Sequence, residues 1–225
     1  MTDMKIVAQT LSRPDVEALL EHAPLAFEEC HLDSADLSRL DLRNCSFTGC
    51  SIAETSFYAA KLDSSTWQRC RGPQADFEAA DLTDASFRAC DLNNSSWRRA
   101  HLASLAFKSC KLTGANFEEA AHLGLSFEEC LLVGADLRRM SFRKSRLIGL
   151  DFGDADLAAC DFRDSVFEGG SLRGANLKQA RFDNADLREA DLSGLTLADV
   201  KLFQGAWITP SQAAQLVSEL GLRVA

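Results

Sequence analysis

The residues with the most evident capacity for chemistry are eight cysteines, and six of them keep a fixed interval. Cys30, Cys50, Cys70, Cys90, Cys110 and Cys130 follow one another at steps of 20, while Cys45 and Cys160 stand outside that series. A column of thiols could hold a soft metal or exchange disulfides. The spacing argues otherwise. No Cys-x-x-Cys pair is present, and no group of Cys and His has zinc-finger spacing. Thiols stacked in parallel lie near disulfide range but point the same way, which does not favour a bridge. The reading is a set of buried free thiols acting as small apolar side chains, in a reducing cytoplasm. His22, His31, His101 and His122 are scattered, and no Ser-His-Asp or Cys-His pairing assembles from them. No glycine-rich phosphate loop or paired-carboxylate motif stands out. The many Asp residues are turn formers that bond nearby backbone. The expectation is no catalytic residue, no metal, no cofactor and no enzyme.

The elements that position these residues repeat every five. Starting at Phe27 and stepping by five to Trp207 gives 37 positions, of which only Gly72 and His122 are not large and apolar. Of the 18 aromatic residues in the chain, 16 fall in this series, so the period is no accident of composition. Two residues earlier in each repeat lies a small residue, mostly Ala, Cys, Ser or Gly, and every cysteine occupies that place. The repeat reads small, then Asp, Ser or Asn, then Leu or Phe, then two polar residues, as in Ala35-Asp36-Leu37-Ser38-Arg39. Period five matches neither the helical period of about 3.6 nor the strand period of about 2. A chain with one inward pair every five residues must turn a corner every five residues. Stacked coils then pair their backbones as strands do, and the result is a solenoid in which each coil touches its neighbours.

A second period sets the coil. Every fourth large residue from Phe27 gives Phe27, Phe47, Trp67, Phe87, Phe107, Phe127, Leu147, Phe167, Leu187 and Trp207, which is nearly all aromatic. The series beginning at Leu32 is nearly all aliphatic. Four repeats per coil would stack like on like in a close-packed core. Nine coils at about 4.8 Å would make a rod of roughly 43 Å. Gly72, followed by Pro73, and His122, followed by Leu123, are expected as tolerated packing defects, with Leu123 placed to swing inward for His122.

These repeats resemble the A(D/N)LXX motif of the pentapeptide repeat family over residues 25–207. The resemblance implies an all-β fold, a right-handed quadrilateral β-helix of about nine coils with short helical caps. Residues 1–24 are read as an N-terminal cap, with a strand near Met4 to Thr10 and a helix over residues 12–22 capped by Ser12. Residues 208–225 are read as a C-terminal helix and tail. Thr209-Pro210-Ser211-Gln212 has the form of a capping box, and Gly221 is a stop signal.

The C-terminal segment is similar to that of the quinolone-resistance pentapeptide repeat proteins, in Trp207, the helix, and Leu220-Gly221-Leu222-Arg223-Val224. That resemblance implies a homodimer through Trp207, Leu216, Val217, Leu220, Leu222 and Val224, consistent with a self-complementary apolar patch. It also implies a protein that mimics DNA, binds DNA gyrase or topoisomerase IV, and relieves poisoning by quinolones or natural toxins. Several such proteins carry projecting loops that interrupt the register. No insertion of that kind is evident here between Phe27 and Trp207.

Charge bears on the same question. The chain carries 24 basic and 33 acidic residues, a net −9, which argues against direct binding to nucleic acid or to an anionic membrane. No apolar run approaches the length of a membrane span, and Met1-Thr2-Asp3-Met4-Lys5 does not begin a signal peptide. The balance is uneven along the chain: residues 28–91 have 12 acids and 6 bases, 92–150 have 5 and 9, and 151–207 have 11 and 6. The last stretch supplies a candidate partner-binding acidic surface: Asp151, Asp154, Asp156, Asp161, Asp164, Asp186 and Asp191. The alternative expectation is an interaction scaffold, including a secreted effector, with no action on topoisomerases.

Overall fold

A computed structural model describes residues 4–22, 24–195, 200–219 and 223. The chain forms two compact units, residues 1–130 and 131–225.

The first unit is a stack of coils, each a four-sided turn of the chain. One side, here side A, is a parallel ladder of short strands: β1 (Met4–Val7), β2 (Leu25–Glu28), β3 (Ser46–Thr48), β4 (Thr66–Gln68), β5 (Ser86–Arg88), β6 (Ala106–Lys108) and β7 (Ser126–Glu128). Register is in steps of 20, Phe27 to Phe47 to Trp67 to Phe87 to Phe107 to Phe127. Sides B, C and D carry the columns that begin at Leu32, Leu37 and Leu42. They pair through single bridges, such as Ser51 to Arg71, Asp36 to Ser56 and Lys61 to Asp81.

The corners explain the period. On sides B, C and D a backbone bond closes each turn, with the amides of Ala35, Leu40 and Cys45 donating to the carbonyls of Leu32, Leu37 and Leu42. The second polar residue of nearly every described repeat is left-handed, as at Ser34 (φ 58°), Arg39 (φ 60°) and Asn44 (φ 59°), with Glu189 an exception. That conformation costs an ordinary L-residue on the order of 1 kcal/mol, so the inter-coil bonds and core must outweigh it at every corner. The first polar residue donates no ladder bond. Its amide mostly turns to the Asp, Asn or Ser two residues before it, as Glu78 does to Asp76 at 2.9 Å, while Ala53 and Thr113 donate instead to Asp33 and Asn93 one coil earlier. Pro73 occupies that place without loss, since Glu54 still donates to its carbonyl. Gly72 keeps the register as well. Ile52 fills its column, and a Cβ there would lie 2.5 Å from Ile52 Cγ1.

His122 also keeps its place, half-buried, with Nδ1 3.0 Å from the Ala120 carbonyl. Leu123 does not replace it: it is 86% exposed. The reason is the corner itself, which directs the first polar position outward whatever residue stands there.

The N-terminal end departs from the step of 20. Ile6 pairs with Phe27, and Leu11 donates to the His31 carbonyl at 2.9 Å. Ile6, Leu11 and Val16 are buried, themselves five apart, so the first coil begins before Leu25, one residue out of register. Helix α1 (Arg13–Leu19) carries Val16. The Ser12 amide donates to Asp15 Oδ2 at 2.8 Å. The Arg13 guanidinium donates to the Asp36 and Ser38 carbonyls, fixing the helix on the coil beneath.

The second unit has the same pattern within itself, its sides lettered by the same count of repeats along the sequence, with β8 (Arg146–Ile148) paired parallel to β9 (Val166–Glu168). Its last described repeats close over a 3-10 turn at Val200–Phe203 and helix α2 (Pro210–Glu219).

Candidate partner-binding surface

The thiols were the first chemical candidates. All eight are free and buried. Each column thiol donates to a carbonyl of the preceding coil, Cys50 to Phe27, Cys70 to Phe47 and Cys110 to Phe87, at 3.3–3.5 Å. Cys70 is pushed up to about 12 by its bond with Cys50; at Cys90 and Cys110 the bond with the following thiol lowers, but the bond with the preceding thiol and burial outweigh it and both also rise to about 12. Cys130 is raised by its bond with Cys110 and by burial, and Cys50 is lowered because Cys70 donates to it. A neutral thiol is a poor nucleophile and a poor metal ligand. Among the described residues no three His, Cys, Asp or Glu side chains are grouped to hold a metal. The thiols pack in the core beside the stacked rings.

What the coils offer a partner is their outer wall. The seven aspartates of the second unit singled out above are spread around that wall. Asp151 and Asp191 share a column on side B with Ser171 between them, and Asp154 lies on the same side. Asp156 lies on side C, Asp161 and Asp164 on side D, and Asp186 on side A. Several are engaged locally. Asp151, Asp156 and Asp191 accept from the amides of Gly153, Ala158 and Ser193. Asp161 and Asp186 each hold the arginine two residues on: Arg163 Nε at 2.8 Å and Arg188 Nε at 2.9 Å. Those bonds keep both carboxyls below the usual carboxylate range. The same fork occurs at Asp41 with Arg43 and Asp136 with Arg138. Much of the formal acidity is therefore neutralised on the spot.

The C-terminal cap forms as its residues foretell. The Thr209 amide donates to Gln212 Oε1 at 2.7 Å, and the Gln212 amide donates to Thr209 Oγ1 at 3.1 Å. Gln212 Nε2 then donates to the carbonyls of Leu187 and Ala190, both at 2.8 Å, which pins α2 on the last coil. Of the residues assigned to a dimer contact, Leu216 and Val217 are half-buried on α2. Leu220, Leu222 and Val224 lie outside the described residues.

Trp207, the remaining residue of that set, is corrected in its direction within the repeat series. The unbroken series places it inward, but the register slips by one residue between Leu195 and Leu202. Phe182 donates to the Leu202 carbonyl, and Asp186 pairs with Trp207, 21 positions on. Phe203 takes the inward place and stacks on Phe182, with ring centroids 4.5 Å apart. Trp207 turns out and is 64% exposed. A signal for this was present. The buried indoles of Trp67 and Trp97 each donate to the serine two residues earlier, Ser65 at 2.9 Å and Ser95 at 2.7 Å. Trp207 has Gly205 in that position and no acceptor for an inward indole.

A four-sided coil with a filled core and a patterned wall defines a repeat scaffold whose function lies in its surface. A profile of the pentapeptide repeat region matches residues 24–97 and 135–207, and one of eight pentapeptide repeat copies matches residues 80–118. The chain belongs to the pentapeptide repeat family. No curated protein matches its sequence. Its fold is similar to that of QnrB1, described as a plasmid-mediated fluoroquinolone resistance protein. A trypsin-treated variant superposes with TM-score 0.77 at 21% identity, over 97% of this chain and 99% of that one. The full-length protein gives 0.73 at 19% identity, over 98% of each.

Proposed function

We propose that this protein binds a type II topoisomerase, DNA gyrase or topoisomerase IV, and protects it from quinolones or a natural poison. The observation that carries the reading is the extent of the likeness to QnrB1, which takes in both chains almost end to end, caps included. At about 20% identity that likeness is one of fold. The acidic surplus of residues 151–207 suits a protein that presents itself in place of DNA, although the aspartate forks reduce it. On this reading α2 joins two copies through Leu216 and Val217, with Leu220, Leu222 and Val224 beyond them, and the protein works in the cytoplasm.

The test is gyrase supercoiling with purified protein, with and without a quinolone. The expected result is inhibition alone, or restored supercoiling with drug, at micromolar protein. No effect on gyrase or topoisomerase IV under either condition would refute it and leave the second reading, a scaffold for another partner. The regular coils favour that alternative, since no projecting loop interrupts them between Phe27 and Leu195. Leu216→Asp is expected to give a monomer in light scattering.

A further inference from the structure

The slip of one residue that ends the repeat series also builds a groove. Trp207 is not loosely held. Its amide donates to the Ala185 carbonyl at 2.8 Å and its carbonyl accepts from Leu187 at 2.9 Å, so the backbone fixes the indole on the outer wall. Beside it are Asp164, Val166, Asn184, Asp186 and Arg188, around an open cavity of about 290 Å³. That volume is at the low end for a small-molecule site and suits a single long side chain. Val166 is itself 37% exposed and sets an apolar patch beside the indole among otherwise polar side chains. Arg188 already forks onto Asp186, at 2.9 and 2.6 Å. Asp164 is less committed: its partners, Asn184 Nδ2 and Arg143 Nε, stand off at 3.4 and 3.5 Å.

We propose that this groove receives an arginine side chain carried on an extended basic segment of a partner protein. The indole face attracts a cation, the guanidinium is the group that stacks on an aromatic while reaching a carboxylate, and Asp164 is the carboxylate placed to meet it. Trp and Arg are both enriched where binding energy concentrates in interfaces. Charge decides among occupants. Residues 151–207 carry 11 acids against 6 bases, which repels nucleic acid and sets two copies of this wall against each other. The proposal does not rest on a topoisomerase being the partner.

The probe is fluorescein-labelled hexa-arginine, titrated by anisotropy into the full chain at low salt. Submillimolar binding is expected, weakened about threefold or more by Trp207→Ala and by Asp164→Asn. Asn accepts the left-handed backbone at position 164, where φ is 59°, so the second variant keeps the fold. Iodide quenching reads the same event, because Trp67 and Trp97 are 1% and 0% exposed and only Trp207 is open to it. Saturating peptide should shield Trp207 in the parent. If both variants bind like the parent, the attraction is general acidity and the groove is refuted. If the indole is already shielded in the free protein, a second copy covers it and the proposal fails.

Discussion

The two units solve the same packing problem with the aromatic residues on different sides. In the first unit they stack on sides A and C. Phe27, Phe47, Trp67, Phe87, Phe107 and Phe127 form one column with neighbouring centroids 3.8–5.3 Å apart. Phe57, Phe77, Trp97 and Phe117 form the other. The columns meet edge to face, as Phe87 meets Trp97 at 89°. In the second unit Phe142, Phe162 and Phe182 stack on side D, and Phe152 meets Phe142 and Phe162 edge to face from side B. Counted along the sequence, the rings have moved from the first and third repeats of a coil to the second and fourth. The coil backbone therefore does not assign aromatics to a given side. It requires two large rings on opposed sides and aliphatic residues between them, so that ring edges meet ring faces in the middle. Where Phe162 and Phe167 fall on adjacent sides instead, the rings tilt to 41°.

The thiols separate the units most sharply. Seven of the eight lie in the first unit and only Cys160 lies in the second. Cys70, Cys90, Cys110 and Cys160 are pushed from 9.0 up to about 12. Such a group binds its proton more tightly folded than unfolded. Its stabilisation is complete below the unfolded pKa and is lost as pH rises through 9 towards 12. The thiols of the column titrate together, so the loss belongs to the column as a whole and grows with each pH unit in that window. The first unit, with three of these four and Cys130 also raised, should loosen first. Hydrogen exchange at pH 8 and pH 10 checks this: amides of β3–β6 should lose more protection than those of β8 and β9. Equal loss in both units would mean the column is not what titrates.

The next largest contrast is between single rings. Trp97 packs on Phe77 and Phe117 and meets Phe87 and Phe107 edge-on. Trp97→Ala should cost about 3–5 kcal/mol, and the lost donor leaves Ser95 with only its bond to the Leu92 carbonyl. Phe152→Ala, with ring partners on side D alone, should lie at the low end of that range. Urea unfolding of the two variants, with unchanged slope, measures the difference. A larger loss at Phe152 would show that stacking along a column counts for less than burial.

The interior was legible because the constraint repeats. Each large residue meets the same neighbours 20 positions away, so period, coil length, buried thiols and the Thr209 capping box all follow from residue type. The ends were not, because each is one residue out of phase. Ile6, Leu11 and Val16 keep a spacing of five, but they sit 21 before Phe27, Leu32 and Leu37, so a count from Phe27 passes over them. At the other end the slip moves Phe203 in and Trp207 out. The only local trace of it is Gly205 where the inward indoles have serine. The acidic surface was half legible: the aspartates are present, but their scatter over four sides and their arginine forks depend on which residues the coils bring together.

Those forks give the smallest expected effect. Among the described residues the second unit has three, at Asp136, Asp161 and Asp186, and the first has the one at Asp41. Arg163 and Asp161 are the most enclosed pair, with side chains 27% and 23% exposed, against 50% and 46% for Arg43 and Asp41. Exposed pairs lose most of their attraction to solvent screening. Arg163→Ala should lower Tm by about 1–2 °C and Arg43→Ala by less than about 1 °C. The sign with pH follows from Asp161, whose carboxyl is held low by Arg163. The contribution is present above the unfolded carboxylate pKa and disappears as pH falls through the folded one. The parent and Arg163→Ala should therefore converge in Tm as acid protonates Asp161, and 1 M salt should narrow their gap at neutral pH. A gap that survives both conditions would mean that the arginine stem, packed along the wall, supports the coil rather than its charge.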